Sequence, residues 1–340
     1  MRQHGTGMAV SEGFGPSPAA SYRGDRSVSY GSDGGTPLAM EAQEHVSLAQ
    51  RVQAAAQFAK PVDTRVFVVA NQKGGVGKTT TTVNIAAAFA SRGLNVLVVD
   101  LDPQGNASTA LNIEHTEGTP GVYEAIVEGQ DLSELVRDCP DIPGLSVLPA
   151  SIDLAGAEIE LVSLVARETR LDKALQKHLT KLENEGKRVD YVLIDCPPSL
   201  GLLTINAMVA GREVLIPIQC EYYALEGLGQ LVRSIELIRA HLNPQLAIST
   251  ILLTMYDART KLSAGVAEDV RKHFAATVLK TAIPRSVRIS EAPSYRQTVL
   301  TYDSGSSGSL SYLEAAREIT EFTTQETTVT QETPVKETQA

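Results

Sequence analysis

The residues with the most distinctive chemistry form one glycine-rich segment that carries two lysines and two threonines. It directly follows an apolar run at residues 65–70 and reads Gln72-Lys73-Gly74-Gly75-Val76-Gly77-Lys78-Thr79-Thr80. In a segment of this kind, backbone N–H groups and the start of the following helix surround phosphate oxygens. The lysine at the helix start reaches the terminal phosphates, and the next hydroxyl binds Mg²⁺. We therefore predict that residues 73–80 bind a nucleotide, with Lys78 in a catalytic role and Thr79 as a metal ligand.

The loop departs from the common phosphate-binding pattern at its first position. That pattern, G-x-x-x-x-G-K-[ST], requires a glycine where this chain has Gln72. A second lysine, Lys73, precedes the glycines instead and gives the deviant form K-G-G-x-G-K-T-T. This departure indicates a nucleotide-driven dimer, and we assign Lys73 both a nucleotide-binding and a catalytic role.

Three aspartates stand where a metal ion and an attacking water would need them. Asp195 ends an apolar run and precedes Cys196-Pro197-Pro198, so beside a phosphate loop it is predicted to hold Mg²⁺. Asp100 and Asp102 lie in the segment DLDPQGN. We expect Asp100 to anchor this segment or join the metal shell, and Asp102 to orient the attacking water or contact Mg²⁺. The alternative for Asp102 is an ordinary turn residue before Pro103.

The elements that must position these residues alternate between strands and helices. Runs rich in Val, Ile and Leu predict strands at 65–70, 95–100, 191–195, 213–219, 246–255 and 277–283. Helical patterns predict helices at 78–92, 156–183, 201–210, 224–241, 261–275 and 309–322. This order predicts an α/β fold, a doubly wound, mostly parallel β-sheet with helices on both faces, of the P-loop NTPase type with a deviant Walker A loop. In such sheets, ligands bind beyond the carboxyl ends of the strands.

Composition divides the 340 residues into four predicted parts. They are a disordered Gly/Ser/Pro-rich arm at 1–40, an amphipathic helix within 41–60, a P-loop ATPase domain at 61–322 and a disordered polar tail at 323–340. No apolar run approaches the roughly 20 residues that span a bilayer, and the arm lacks the pattern of a signal peptide. The three dispersed cysteines predict buried thiols rather than a metal site: Cys139, Cys196 and Cys220.

Charge is unevenly distributed along this acidic chain, whose net charge is −10. Residues 255–300 carry eight Lys or Arg against four Asp or Glu, a local excess of four positive charges. Such a segment predicts a basic patch, which suits nucleic acid better than the remaining surface does. Its basic residues are Arg259, Lys261, Arg271, Lys272, Lys280, Arg285, Arg288 and Arg296.

Six segments, taken in order, resemble the ParA/Soj type of chromosome- and plasmid-partition ATPase. They fall within about residues 65 to 320 and read KGGVGKTTT, DLDPQGNAS, YVLIDCPPSLG, QCEYYALEGL, LLTMYDART and IPRSVRISEAPS. The resemblance implies an ATP- and Mg²⁺-dependent sandwich dimer in which Lys73 reaches the partner's nucleotide. It further implies that the ATP-bound dimer binds double-stranded DNA non-specifically, and that a ParB-like centromere-binding protein stimulates its slow hydrolysis. The expected setting is the cytoplasm, in association with the nucleoid.

The same resemblance carries over further residues by motif. It places Met255 and Pro284 near the adenine, and it makes Arg259 and Arg285 the first candidates for contacts with DNA phosphates. The weaker candidates are Lys261, Arg271, Lys272 and Arg288. From charge alone, each basic residue is equally well explained as a solvated surface group.

Two other functions are compatible with these sequence features. A membrane-associated cell-division ATPase of the MinD kind shares the deviant loop, but it needs a basic amphipathic helix at its carboxyl end. Here the tail is rich in Thr, Gln and Glu and has Lys336 as its one base, so we predict no membrane partner. The second alternative is a nucleotide-locked scaffold for polar proteins, in which turnover is incidental.

Overall fold

The computed structural model describes residues 43, 46–50, 52, 57–222 and 224–321. The predicted arm and polar tail lie outside these residues, so the four-part division stays a prediction. The amphipathic helix expected at 41–59 lies partly outside them as well. Its described residues are helical at 43, 46–50 and 52, whereas residues 57–59 are not helical.

A mostly parallel sheet forms the centre of the described part of the chain, as the sequence predicts. Its strands are β1 (Arg65–Val69), β2 (Val96–Asp100), β3 (Arg137–Asp138), β4 (Leu145–Leu148), β5 (Tyr191–Asp195), β6 (Glu213–Gln219), β7 (Ala247–Tyr256) and β8 (Val278–Pro284). The strand order is β3-β4-β2-β5-β1-β6-β7-β8. Every neighbouring pair is parallel except β3 with β4, which is antiparallel.

Helices cover both faces of the sheet. They are α1 (Lys78–Ser91), α2 (Asn106–Ala110), α3 (Leu132–Leu135), α4 (Leu154–Leu161), α5 (Arg170–Asn184), α6 (Leu202–Ala210), α7 (Ala224–His241), α8 (Lys261–His273), α9 (Val287–Glu291), α10 (Val299–Tyr302) and α11 (Ser307–Glu321). Successive residues of β1 enter different cores, because strand side chains alternate between faces. Val66 and Val68 pack with α4 to α8, whereas Phe67 and Val69 pack with α1 and α11.

The prediction of a single helix at 156–183 is wrong, because the structure divides this segment into α4 and α5. Between them, Ala166 has φ +54°, a left-handed conformation that ends a helix. Asn206 of α6 stabilises the interruption, since its Nδ2 donates to Arg167 O at 2.8 Å and its Oδ1 accepts from Leu171 N at 3.2 Å. No Gly or Pro marks this break, so only the tertiary partner reveals it.

The sequence analysis missed β3 and β4, which form one edge of the sheet. The first has two residues and the second has four, LSVL, so neither displays a periodic pattern. All three cysteines are buried free thiols, as predicted. Within the described ranges, no helix combines the length and apolar character needed to cross a membrane.

Candidate nucleotide-binding site

The glycine-rich segment connects the end of β1 to the start of α1 at the carboxyl edge of the sheet. Gly75 and Gly77 have φ of +74° and +88°, a region that residues with a Cβ rarely adopt. A Cβ at Gly74 or Gly75 would meet no atom of the described residues within 4 Å. The segment therefore surrounds open space beside the start of α1, where unpaired N–H groups favour an anion.

Hydrogen bonds to β6 and β7 hold the loop in this shape. The buried Asn71 donates from Nδ2 to Pro217 O of β6 at 2.8 Å, and its Oδ1 accepts from Lys73 N at 3.0 Å. Thr254 of β7 donates from Oγ1 to Val76 O, also at 2.8 Å. Because both anchors are buried, the loop is organised before any ligand arrives.

The two lysines of the loop occupy different surroundings. Lys78 is buried, and its Nζ lies 3.5 Å from Lys73 O. Burial lowers the pKa of Lys78, while the nearby carboxylates of Asp195 and Asp102 act in the opposite direction. Lys73 extends away from this cluster and pairs with Glu221 just beyond β6, with Nζ to Oε2 at 2.5 Å. The Lys78 side chain therefore lies in the interior of the loop, whereas the Lys73 side chain lies at the surface.

Asp195 lies at the base of the loop, in a site with no access to solvent. It pairs in register with Val69 at the end of β1 and with Asp100 at the end of β2. Thr82 of α1 donates to its Oδ1 at 3.0 Å. Burial, and then the charge of Asp100, raise the pKa of Asp195 to about 8. The nearby hydroxyls of Thr79 and Thr82 lower this pKa and so oppose the rise.

Asp100 anchors the segment that follows β2. Its Oδ2 accepts from Ser108 N and Ser108 Oγ, both at 2.8 Å, and its Oδ1 accepts from Asp102 N at 3.2 Å. Burial raises the pKa of Asp100 above its usual range, and the bonds from Ser108 oppose this. Of the two roles expected for Asp100, anchoring the segment or joining the metal shell, these hydrogen bonds support the first.

Asp102 lies in the turn after β2, half-buried and close enough for its charge to act on Lys78 and Asp195. Its Oδ1 accepts from Gln104 N at 3.0 Å, a bond typical of a turn aspartate. The neighbouring Gly105 has φ +62° and packs so closely on His115 that a Cβ would lie 2.4 Å from Nδ1. The fold brings Asp102 to the loop, and its catalytic role stays a prediction.

The donor set fits Mg²⁺ bound together with a nucleotide. Asp195 Oδ2 is a buried oxygen without a hydrogen-bond partner among the described residues, and the hydroxyl of Thr79 lies beside that carboxylate. The described residues contain no group of three or more His, Cys, Asp or Glu that could hold a metal alone. Mg²⁺ keeps several waters and takes oxygens from phosphates, so it needs few protein ligands at a nucleotide site.

The residues expected near the adenine end two neighbouring strands on the same edge. Met255 is the penultimate residue of β7, and Pro284 ends β8 in register with Tyr256. Met255 has φ +50°, which is uncommon for a residue with a Cβ and is often found at functional sites. Both residues are half-buried. Their position suits a base-binding role, which stays a prediction.

The six DNA candidates separate into two groups. Arg259 and Lys261 follow β7, and Arg285 and Arg288 follow β8, so these four lie at the carboxyl edge. Arg259 is 87% exposed in its side chain and pairs with Asp257 at 2.9 Å, which keeps the pKa of Asp257 near 2. Arg271 and Lys272 lie in the last turn of α8, about 15 Å along the helix axis from Lys261.

Three residues that the sequence analysis did not select belong to the site. They are Thr82, which bonds Asp195, Thr254, which holds the loop, and Glu221, which pairs with Lys73. Helical spacing offered a signal for Thr82, because it lies four residues after Lys78. The other two come from distant segments of the chain, and no local pattern indicates their contacts with the loop.

The parallel sheet, the phosphate loop and the buried carboxylate at its base together define a P-loop ATPase. A family model described as an AAA domain (AAA_31) matches residues 64–248. The chain is 50% identical over 255 residues to the sporulation initiation inhibitor protein Soj of Bacillus subtilis, covering 75% of this chain and 98% of that protein. It is also 50% identical over 256 residues to the chromosome partitioning protein ParA of Caulobacter vibrioides, covering 75% and 93%. The chain therefore belongs to the Soj/ParA family of chromosome-partitioning ATPases, which confirms the resemblance seen in its motifs.

Solved structures agree with the fold. Cobyrinic acid a,c-diamide synthase from Mycobacterium smegmatis, with a bound ATP analogue and magnesium, has a TM-score of 0.63 and 39% identity, covering 75% of this chain and 94% of that one. The cell division ATPase MinD of Pyrococcus furiosus has a TM-score of 0.61 and 25% identity, covering 76% and 99%. Both are less similar in sequence to this chain than the Soj and ParA relatives.

Proposed function

We propose that this ATPase is a nucleotide-switched partition motor that segregates a chromosome or plasmid. ATP with Mg²⁺ binds at the loop, two chains close around two nucleotides, and the dimer binds double-stranded DNA non-specifically. A ParB-like centromere-binding protein then stimulates hydrolysis, and the dimer separates and leaves the DNA. The observation that carries this proposal is Lys73, a second loop lysine whose side chain lies at the surface of its own subunit.

The roles of the loop residues follow from their positions. Residues 74–80 and the start of α1 hold the phosphates, with Lys78 at the terminal one. Thr79 and Asp195 hold Mg²⁺, which supplies charge neutralisation on the phosphate oxygens. Asp102 orients the attacking water, and Lys73 of each subunit stabilises the charge that develops on its partner's nucleotide, as an arginine finger does elsewhere.

A DNA face on the same edge would couple binding to the nucleotide state. Arg259, Lys261, Arg285 and Arg288 follow the strands that also carry Met255 and Pro284, so dimer formation would bring two basic sets together. Doubling the number of phosphate contacts raises affinity steeply, because each contact releases counterions. Arg271 and Lys272 stay weaker candidates, since they lie at the far end of α8. This function places the protein in the cytoplasm, on the nucleoid.

ATP hydrolysis measured with and without DNA and a ParB-like protein tests the motor. We expect slow hydrolysis by the chain alone and a clear stimulation when both additions are present. Hydrolysis that neither addition changes would favour the nucleotide-locked scaffold and contradict the motor.

Arg259→Glu tests the DNA face separately. The variant should lose DNA binding yet keep ATP-dependent dimerisation, because Arg259 is exposed and outside the loop. Lys187→Glu is the matched control, since Lys187 is also exposed but precedes β5 at the opposite edge. DNA binding that is unchanged in Arg259→Glu would contradict this assignment.

A further inference from the structure

The side chain of Lys73 is held within its own subunit. Its Nζ lies 2.5 Å from Glu221 Oε2, and the two side chains are 42% and 45% exposed. Glu221 is itself oriented, because Gln219 Nε2 donates to its other oxygen, Oε1. Lys73 thus pairs with a carboxylate whose orientation is fixed by Gln219.

The backbone on both sides of this pair is tied to the same strand. Asn71 joins Lys73 N to Pro217 O of β6, and Glu221 follows the end of β6 by two residues. Lys73 and Glu221 are therefore held at a fixed separation by β6 rather than by two mobile loops. This arrangement keeps the two side chains within reach of each other in the folded monomer.

A lysine held in this way cannot also contact a nucleotide in another subunit. We propose that Glu221 is a positioning residue that retains Lys73 in the free monomer and releases it when two ATP-bound chains associate. The inference rests on the proposed function, which gives Lys73 its role across the dimer. Glu221 thereby opposes dimerisation until ATP and the partner subunit offer Lys73 a more strongly charged acceptor, a triphosphate.

The exposure of the pair sets the size of this effect. Half-exposed ion pairs change an equilibrium by roughly 1.4- to 5-fold. Each dimer must break two such pairs, so the effects multiply to roughly 2- to 25-fold in the dimer dissociation constant. The pair therefore adjusts the threshold for dimerisation without preventing it.

The first experiment measures the dimer dissociation constant with ATP by sedimentation. Glu221→Gln keeps the shape but removes the charge, so its constant should fall by roughly 2- to 25-fold, and Glu221→Asp should lie between it and the wild type. Glu226→Gln, an exposed glutamate in the first turn of α7, is the matched control and should match the wild type. An unchanged or weaker dimer in Glu221→Gln would overturn the proposal.

The second experiment needs no dimer. Reductive methylation of the nucleotide-free monomer, followed by mass spectrometry of the peptide that contains Lys73, reports how accessible its amine is. Lys73 should react faster in Glu221→Gln than in the wild type and in Glu226→Gln. Equal rates would overturn the proposal even if the wild type dimerises. If Lys73 reacts faster in Glu221→Gln but the wild type never dimerises with ATP, the retaining contact exists and the proposed function is refuted.

Discussion

Replacing Asp195 with asparagine should stabilise the protein in the absence of nucleotide. The carboxylate is fully buried, one of its oxygens has no hydrogen-bond partner among the described residues, and Asp100 lies opposite in the register. Asparagine has almost the same shape and no charge. The substitution therefore removes a buried charge that Lys78 and two threonine hydroxyls balance only in part when no metal is bound.

The pH dependence gives the magnitude. The pKa of Asp195 is raised to about 8 in the fold, compared with about 4 in an unfolded chain. Because the folded state retains the proton longer, stability falls as pH rises between these values, by at most about 1.4 kcal/mol per unit. Part of this titration belongs to the neighbouring Asp100. We therefore expect the free energy of unfolding of the wild type to fall by about 2 kcal/mol relative to that of Asp195→Asn between pH 6 and pH 8.

Urea unfolding with EDTA and no nucleotide, followed by circular dichroism at pH 6, 7 and 8, measures this difference. Asp190→Asn is the matched control, because Asp190 is also buried but pairs with Arg188 and Lys60 and accepts from Asn95 N. The control should destabilise the protein at every pH. With Mg²⁺ and ATP, the wild type should gain stability that Asp195→Asn lacks. If Asp195→Asn is instead the less stable protein at pH 8 with EDTA, the buried carboxylate does not destabilise the metal-free fold.

Two further substitutions test the loop after β2 and the attachment of α11. Gly105→Ala should lower the rate of hydrolysis by about tenfold while ATP still binds, because a Cβ would meet His115 and displace Asp102. Adding His115→Ala should recover part of the rate. Full activity in the single variant would contradict this expectation. Arg65→Met should reduce the free energy of unfolding by about 2 kcal/mol, because Arg65 donates to Glu213 at 2.7 Å and to Ile319 O at 2.8 Å. Adding Glu213→Gln should recover part of that loss in urea unfolding, and no recovery would argue against an unpaired Glu213 as its cause.

Sequence patterns predicted the strands that carry the site because those strands are buried on both faces. Such strands read as continuous apolar runs, and Asp100 and Asp195 end two of them. Their placement at one edge follows from the parallel order, and the structure puts them directly opposite each other. The predicted loop and sheet were therefore accessible from local composition and spacing, whereas the family was accessible from the resemblance of six motifs to known partition ATPases.

What the sequence could not supply is set by contacts between distant segments. The break between α4 and α5 depends on Asn206, and the shape of the phosphate loop depends on Thr254, 178 residues further along than Val76. The partner of Lys73 was hidden for the same reason, since Glu221 is 148 residues away. Interactions of this kind have no periodic signature, because they are fixed by how distant strands and helices pack together.

In the proposed function, the nucleotide state controls DNA binding through Lys73 and Asp102. Its most direct test is the retention of DNA by the full chain with ATP, with ADP and without nucleotide, for the wild type, Lys73→Ala and Asp102→Ala. We predict that the wild type retains DNA with ATP alone, that Asp102→Ala remains on DNA as a trapped ATP dimer, and that Lys73→Ala neither dimerises nor binds. Equal retention of DNA in all three nucleotide states would contradict the switch.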